Sequence, residues 1–97
     1  MATFHFAQRA QQDLENILDY TLEQWGKRQA VRYLEALNES VQLLANNPKL
    51  GMPRENLAPG LLSFPYKSHI IYYCKAKRDI IVVRVLHASM DSVRHFN

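Results

Sequence analysis

The spacing of apolar residues changes along the chain, and each change marks an element. Thr3-Phe4-His5-Phe6 alternates polar and apolar, the period of a short strand. From Ala7 to about Trp25 the period lengthens. Ala10, Leu14, Ile17, Leu18, Thr21, Leu22 and Trp25 recur at three- and four-residue intervals, a stripe along one helix face. Gly26 supplies the left-handed position at which a helix ends cheaply. A second stripe follows at Ala30, Tyr33, Leu34, Leu37, Val41, Leu44 and Ala45, and Asn46-Asn47-Pro48 closes it. Two helices of roughly eighteen to twenty residues, each about 30 Å long, joined by so short a turn should form an antiparallel hairpin.

Residues 48–60 contain three prolines and two glycines and read as a loop. Beyond it the composition turns to strand. Leu61 to Tyr66 is one candidate, confined by Pro65 to an edge or a bulge. His69 to Lys75 and Ile80 to His87 are rich in Ile, Val and Tyr, with Ala76-Lys77-Arg78-Asp79 as the hairpin between them. Asp91 to Phe96 is expected to add a helical turn. The pattern predicts an α+β fold over residues 1–97, a single domain in the order β-α-α-β-β-β. An N-terminal strand leads into a helical hairpin, which packs on a three-stranded antiparallel meander.

With 97 residues, 47% of them apolar and 22% charged, the composition is that of a small globular domain. Cys74 is the only cysteine, so no internal disulfide can form; within Ile70-Ile71-Tyr72-Tyr73-Cys74 it reads as packing. No stretch approaches a bilayer span and no signal pattern opens the chain, so a cytoplasmic protein with no membrane partner is expected. The net charge of +3 is unevenly placed. Residues 1–47 hold four basic and six acidic side chains, residues 48–97 eight basic and three acidic. The positive second half suits nucleic acid, a nucleic-acid enzyme or an acidic peptide, although on charge alone plain solubility is the better account.

Asp13-Leu14 followed by Ile17 and Tyr20, then Trp25-Gly26, Ala30 and Tyr33, resembles the helical half of ParE-type toxins of the RelE/ParE superfamily. Pro48 with Gly51 is similar to that family's inter-element loop. Ile70-Ile71-Tyr72-Tyr73 and Ile81-Val82-Val83-Arg84-Val85-Leu86-His87, followed by Met90-Asp91, resemble its closing strands. The resemblance implies a toxin held inactive in a hetero-oligomer by a cognate antitoxin with an acidic C-terminal segment. In the ParE branch it implies trapping of DNA gyrase by protein contact, without chemistry by the toxin itself. RelE members share the fold and cut mRNA on the ribosome, so fold alone does not choose between the two.

An RNA-cleaving member needs cations for the phosphate and a group to take the 2′-hydroxyl proton. RelE relatives commonly place a tyrosine near the C-terminus. Here the last tyrosine is Tyr73, which favours the gyrase reading. Arg84, His87, Lys67 and His69, with Arg54, are the residues that would form a basic cleft in the alternative, a ribosome-dependent endoribonuclease. A third reading is a relative that has lost toxicity and only binds antitoxin.

Along Ile80–His87 the apolar set Ile81, Val83 and Val85 is expected to face the helices with His87, and Arg84 the opposite side. The Arg84 guanidinium is then either offered to phosphate or a partner carboxylate, or held in an internal ion pair, with Asp91 as the candidate partner. His87, ending its strand, reads first as a hydrogen-bonded structural residue. Lys75, Lys77 and Arg78 at the hairpin tip and Arg94 in the tail are further candidates for contact with gyrase. Tyr20, Trp25 and Tyr33 are expected to cluster near the helical turn, chiefly as core; their other role is as anchors for an antitoxin. Lys27, Arg28 and Arg32 are expected on a solvated face, with a Glu23–Lys27 pair, or else against acidic antitoxin residues. The four histidines lack metal-site spacing, and neither metal nor cofactor is expected.

Overall fold

A computed structural model describes residues 2–96. Strand β1 (Phe4–Phe6) leads into α1 (Gln8–Trp25) and α2 (Lys27–Asn46). A 3₁₀ turn (Pro48–Leu50) and a two-residue strand β2 (Met52–Pro53) come next. Then follow β3 (Leu61–Tyr66), β4 (His69–Lys75), β5 (Ile80–His87) and a short α3 (Ser92–His95). The sheet order is β1-β5-β4-β3-β2. Strands β2 to β5 pair antiparallel, whereas β1 lies parallel to β5. The expected meander and helical pair are therefore present, and the sheet is larger than the pattern showed. Part of the proline-rich loop forms an edge strand, and β1 extends the far side.

Gly26 alone joins the two helices, at φ 87° and ψ 174°. Its φ is positive, as expected, but its ψ is extended, a region that only glycine enters at low cost. The Gly26 N–H still closes α1 on the Leu22 carbonyl at 3.1 Å. The break also separates Glu23 from Lys27, and the expected ion pair does not form. An i,i+4 pair needs one continuous helix, and the described ion pairs lie elsewhere.

The core lies between the helices and one face of the sheet. Ala10, Ile17, Leu37, Val41, Leu44 and Ala45 pack on Ile71, Tyr73, Ile80, Val82 and Val85. A smaller cluster on the opposite face joins Leu61, Tyr72 and Leu86, covered by Leu57, Ala58 and Phe96. Which face each β5 residue takes differs from simple alternation. Tyr73 pairs with Val82 and Tyr72 with Arg84, so Val83 is an extra, unpaired residue. This bulge shifts the period by one. Ile80 and Val82 face the helices before it, Val85 after it, and Ile81 is largely outside. Of the apolar set expected to face the helices, only Val85 does.

Pro65 lies beyond the reach of β2, which pairs only with Leu62 and Ser63, so its missing N–H costs no ladder bond. Gly51 is buried against Tyr73, whose ring occupies the space a Cβ would need. The Tyr73 hydroxyl donates to the Pro48 carbonyl at 2.7 Å, pinning the loop to the sheet.

Candidate functional site

Arg84 marks the point where the sheet meets α1. Strand β1 covers only Ile80 to Val82 of its neighbour, leaving the edge of β5 open from Val83 onward. Asp13 of α1 fills the gap. Its carboxylate accepts Arg84 Nε at 2.8 Å, Arg84 Nη2 at 3.0 Å and the Val85 backbone N–H at 3.0 Å. Arg84 is only 9% exposed, and its hydrogen bond to Asp13 raises its already high pKa. The ion pair is thus internal, and the partner is Asp13 rather than Asp91. Asp91 instead caps α3 by accepting the Val93 N–H. Asp13 carried a legible signal: it sits between Ala10 and Ile17 at helical spacing, an acid on the buried stripe.

At the end of the β4–β5 pairing remote from the hairpin tip, three of the five residues named for a basic cleft come together. His69 and His87 are directly opposed across the strands, their rings edge to face with centroids 5.4 Å apart. Tyr33 reaches down from α2, its hydroxyl 2.5 Å from His69 Nδ1, and stacks edge to face on Tyr66. Lys67 Nζ lies 5.6 Å from the centroids of both tyrosine rings. Burial, reinforced by the neighbouring His87, holds the His69 pKa below its ordinary value of 6.5. Burial likewise raises the Tyr33 phenol. Arg84 is absent from this group, three residues back along β5 and bound to Asp13. Arg54 donates to the Ser63 hydroxyl at 2.9 Å instead.

The cations named for a target lie elsewhere. Lys75, Lys77 and Arg78 surround the exposed β4–β5 turn, closed by Ala76 N–H to the Asp79 carbonyl at 2.8 Å. Seven-residue β4 separates this tip from His69, about 20 Å at the rise of a strand. Arg94 is exposed on α3, which is tied to the sheet by a hydrogen bond between Tyr72 and Ser92 and by Phe96 on the Tyr72 ring.

The helical turn presents the third region. Tyr20 and Trp25 are 63% and 69% exposed, so they are not the core residues expected. Neither belongs to a buried cluster of the described residues. Tyr33 alone of the three is packed inward. Leu22 and Val31 are also exposed, beside Lys27, Arg28 and Arg32 at the start of α2. Cys74 is half-buried and burial pushes its thiol pKa up, the character of packing rather than of a nucleophile. Among the described residues no three metal-ligating side chains converge.

A sequence model described as ParE toxin of type II toxin-antitoxin system, parDE, matches residues 4–92. The chain is 34% identical to "Toxin ParE1" of Caulobacter vibrioides over 95 residues, covering 98% of each protein. It is 38% identical to "Toxin ParE1" of Mycobacterium tuberculosis over 87 residues, 89% of each. Among solved structures it is similar to a chain of the chromosomal ParDE TA system from P. aeruginosa. That likeness has a TM-score of 0.75 over 90% of this chain and 96% of that one, and at 19% identity it concerns the fold.

Proposed function

We propose, from the premise that the chain belongs to the ParE toxin family of type II toxin–antitoxin systems, that it arrests growth by contact with DNA gyrase. It does so in the cytoplasm without performing covalent chemistry, and no helix among the described residues is long and apolar enough to cross a membrane. A cognate antitoxin holds it in an inactive hetero-oligomer. The observation that carries the antitoxin half is the exposure of Tyr20 and Trp25 on α1, followed in the chain by the exposed cations Lys27, Arg28 and Arg32 of α2. Large exposed aromatics next to cations suit an amphipathic acidic segment, the aromatics as anchors and the cations setting register. Tyr33 packs inward against His69 and Tyr66 instead.

Lys75, Lys77 and Arg78 at the exposed β4–β5 turn, with the exposed Arg94, are cations able to meet gyrase or its DNA. The endoribonuclease reading loses its strongest cation, because Arg84 is spent on Asp13. It also has no tyrosine after Tyr73.

Controlled expression followed by assays of both targets tests this. Cleaved DNA should accumulate with purified gyrase, and translating ribosomes should leave message intact. Charge reversal of Lys75, Lys77 and Arg78 together should weaken the gyrase effect by roughly tenfold or more while leaving the fold in place. Message cleavage with gyrase unaffected would sink the reading. Failure to arrest growth in any host would favour a binding module that has lost toxicity.

A further inference from the structure

His69 and His87 each engage a partner through Nδ1, and among the described residues neither Nε2 atom has one. His87 Nδ1 lies 3.1 Å from the Ser89 backbone N–H and 2.7 Å from the Ser89 hydroxyl. A backbone N–H can only donate, so Nδ1 holds the lone pair and the ring proton sits on Nε2. His69 Nδ1 is engaged by the Tyr33 hydroxyl. Burial disfavours the charged ring, and in the arrangement where the phenol donates to Nδ1 the His69 proton also sits on Nε2. Lys67 adds an ammonium at the same corner, and no carboxylate among the described residues forms an ion pair with it. Glu35 and Glu39 of α2 line the adjoining groove of about 350 Å³ with Arg32, Tyr33 and Lys67, and neither carboxylate lies within ion-pair distance of Lys67.

Lys67 holds its place against backbone preference. It occupies the β3–β4 turn at φ 52°, a conformation that glycine or asparagine adopts more cheaply than lysine. A lysine at such a turn shares a corner of the fold with two imidazoles whose Nε2 atoms have no hydrogen-bond partner among the described residues.

We propose that His69, His87 and Lys67 form a binding site for a phosphate group, taken by the two Nε2–H groups and the ammonium. The phosphate is that of a free nucleotide or ion, or of a nucleic-acid strand. The site binds and does not cleave: with both Nδ1 atoms engaged and both Nε2 atoms protonated, neither ring has a lone pair to take a 2′-hydroxyl proton. This holds whether or not gyrase is the target, because it concerns the corner opposite the hairpin tip.

The test is long-range ¹H–¹⁵N spectroscopy of the imidazoles in the full chain near pH 7. Sodium phosphate, a short oligothymidylate and sodium chloride are added at matched ionic strength. His69 and His87 should show the Nε2–H pattern and shift with a phosphate-bearing probe, while His5 and His95 stay still. Lys67→Asn, which suits the turn, and His87→Gln should each weaken binding by roughly tenfold with unchanged far-ultraviolet circular dichroism. A response to oligothymidylate alone identifies a strand as the source, and a response to inorganic phosphate identifies the free ligand. No response to either probe, an equal response of His5 and His95, or full binding by Lys67→Asn would overturn the proposal.

Discussion

Asp13 receives two guanidinium donors and one backbone N–H with side-chain exposure of only 12%. Removing it leaves the buried Arg84 charge and the Val85 N–H unpaired. Asp13→Ala should therefore cost about 3–5 kcal/mol in urea unfolding. The double variant Asp13→Leu with Arg84→Met should lose less than Asp13→Ala alone, because no lone charge is left buried. Lys67 makes the opposite case. Lys67→Asn relieves an unfavourable φ and should stabilise the fold by roughly 0.5–1 kcal/mol, even as the proposed phosphate site weakens. His69 sets a pH dependence. Its folded pKa lies below the ordinary 6.5, so the unfolded chain takes up its proton first as pH falls. Its contribution is complete above about 6.5 and declines as pH drops through that value toward the folded pKa. Unfolding between pH 7 and 5 should show this slope, and His69→Gln should reduce it.

Gly26 governs how the helices meet. A Cβ there would touch nothing within 4 Å, so Gly26→Ala tests backbone strain by itself and should cost about 1–3 kcal/mol. Trp25→Ala, one residue earlier, should change stability by less than about 0.5 kcal/mol. If the helical turn is the antitoxin surface, it should also raise the dissociation constant for the antitoxin at least tenfold by calorimetry. Unchanged affinity would place the antitoxin elsewhere. The periodicity marked the boundaries of α1, α2, β3, β4 and β5 within a residue or so, because each alternates or strides against one core. It could not show the bulge at Val83: the segment Ile80–Val85 is apolar apart from Arg84, and a run without polar residues has no phase to read. Face assignments along β5 followed that error. The stripe in α1 likewise marked Trp25 as core, since a sequence does not reveal where the opposing sheet ends.

The whole molecule places its chemistry in three regions, the first two meeting at the groove that Arg32 and Lys67 both line. Aromatic and basic residues crowd the helical turn, imidazoles and Lys67 the near end of the sheet, and the cationic hairpin tip the far end. Strand β1 holds the assembly together from the outside. It covers the β5 edge through Phe4–Phe6, and Gln42 of α2 donates to the Ala2 carbonyl at 3.0 Å. Deleting residues 1–6 should expose the Ile80–Val82 edge, lower the Tm by more than about 10 °C and produce sedimenting aggregates. A monomeric, fully stable truncation would show that β1 is dispensable.

Sequence by itself determined the elements and their order, since helix and strand differ in the period at which side chains return to one face. It also placed the excess of cations in the second half. Only the tertiary structure decided which partners those side chains meet. Arg84 finds Asp13 across 71 residues of chain, His69 meets His87 through strand register, and Trp25 is left in solvent. Such contacts depend on distances between elements, and those distances arise from packing rather than from any local pattern.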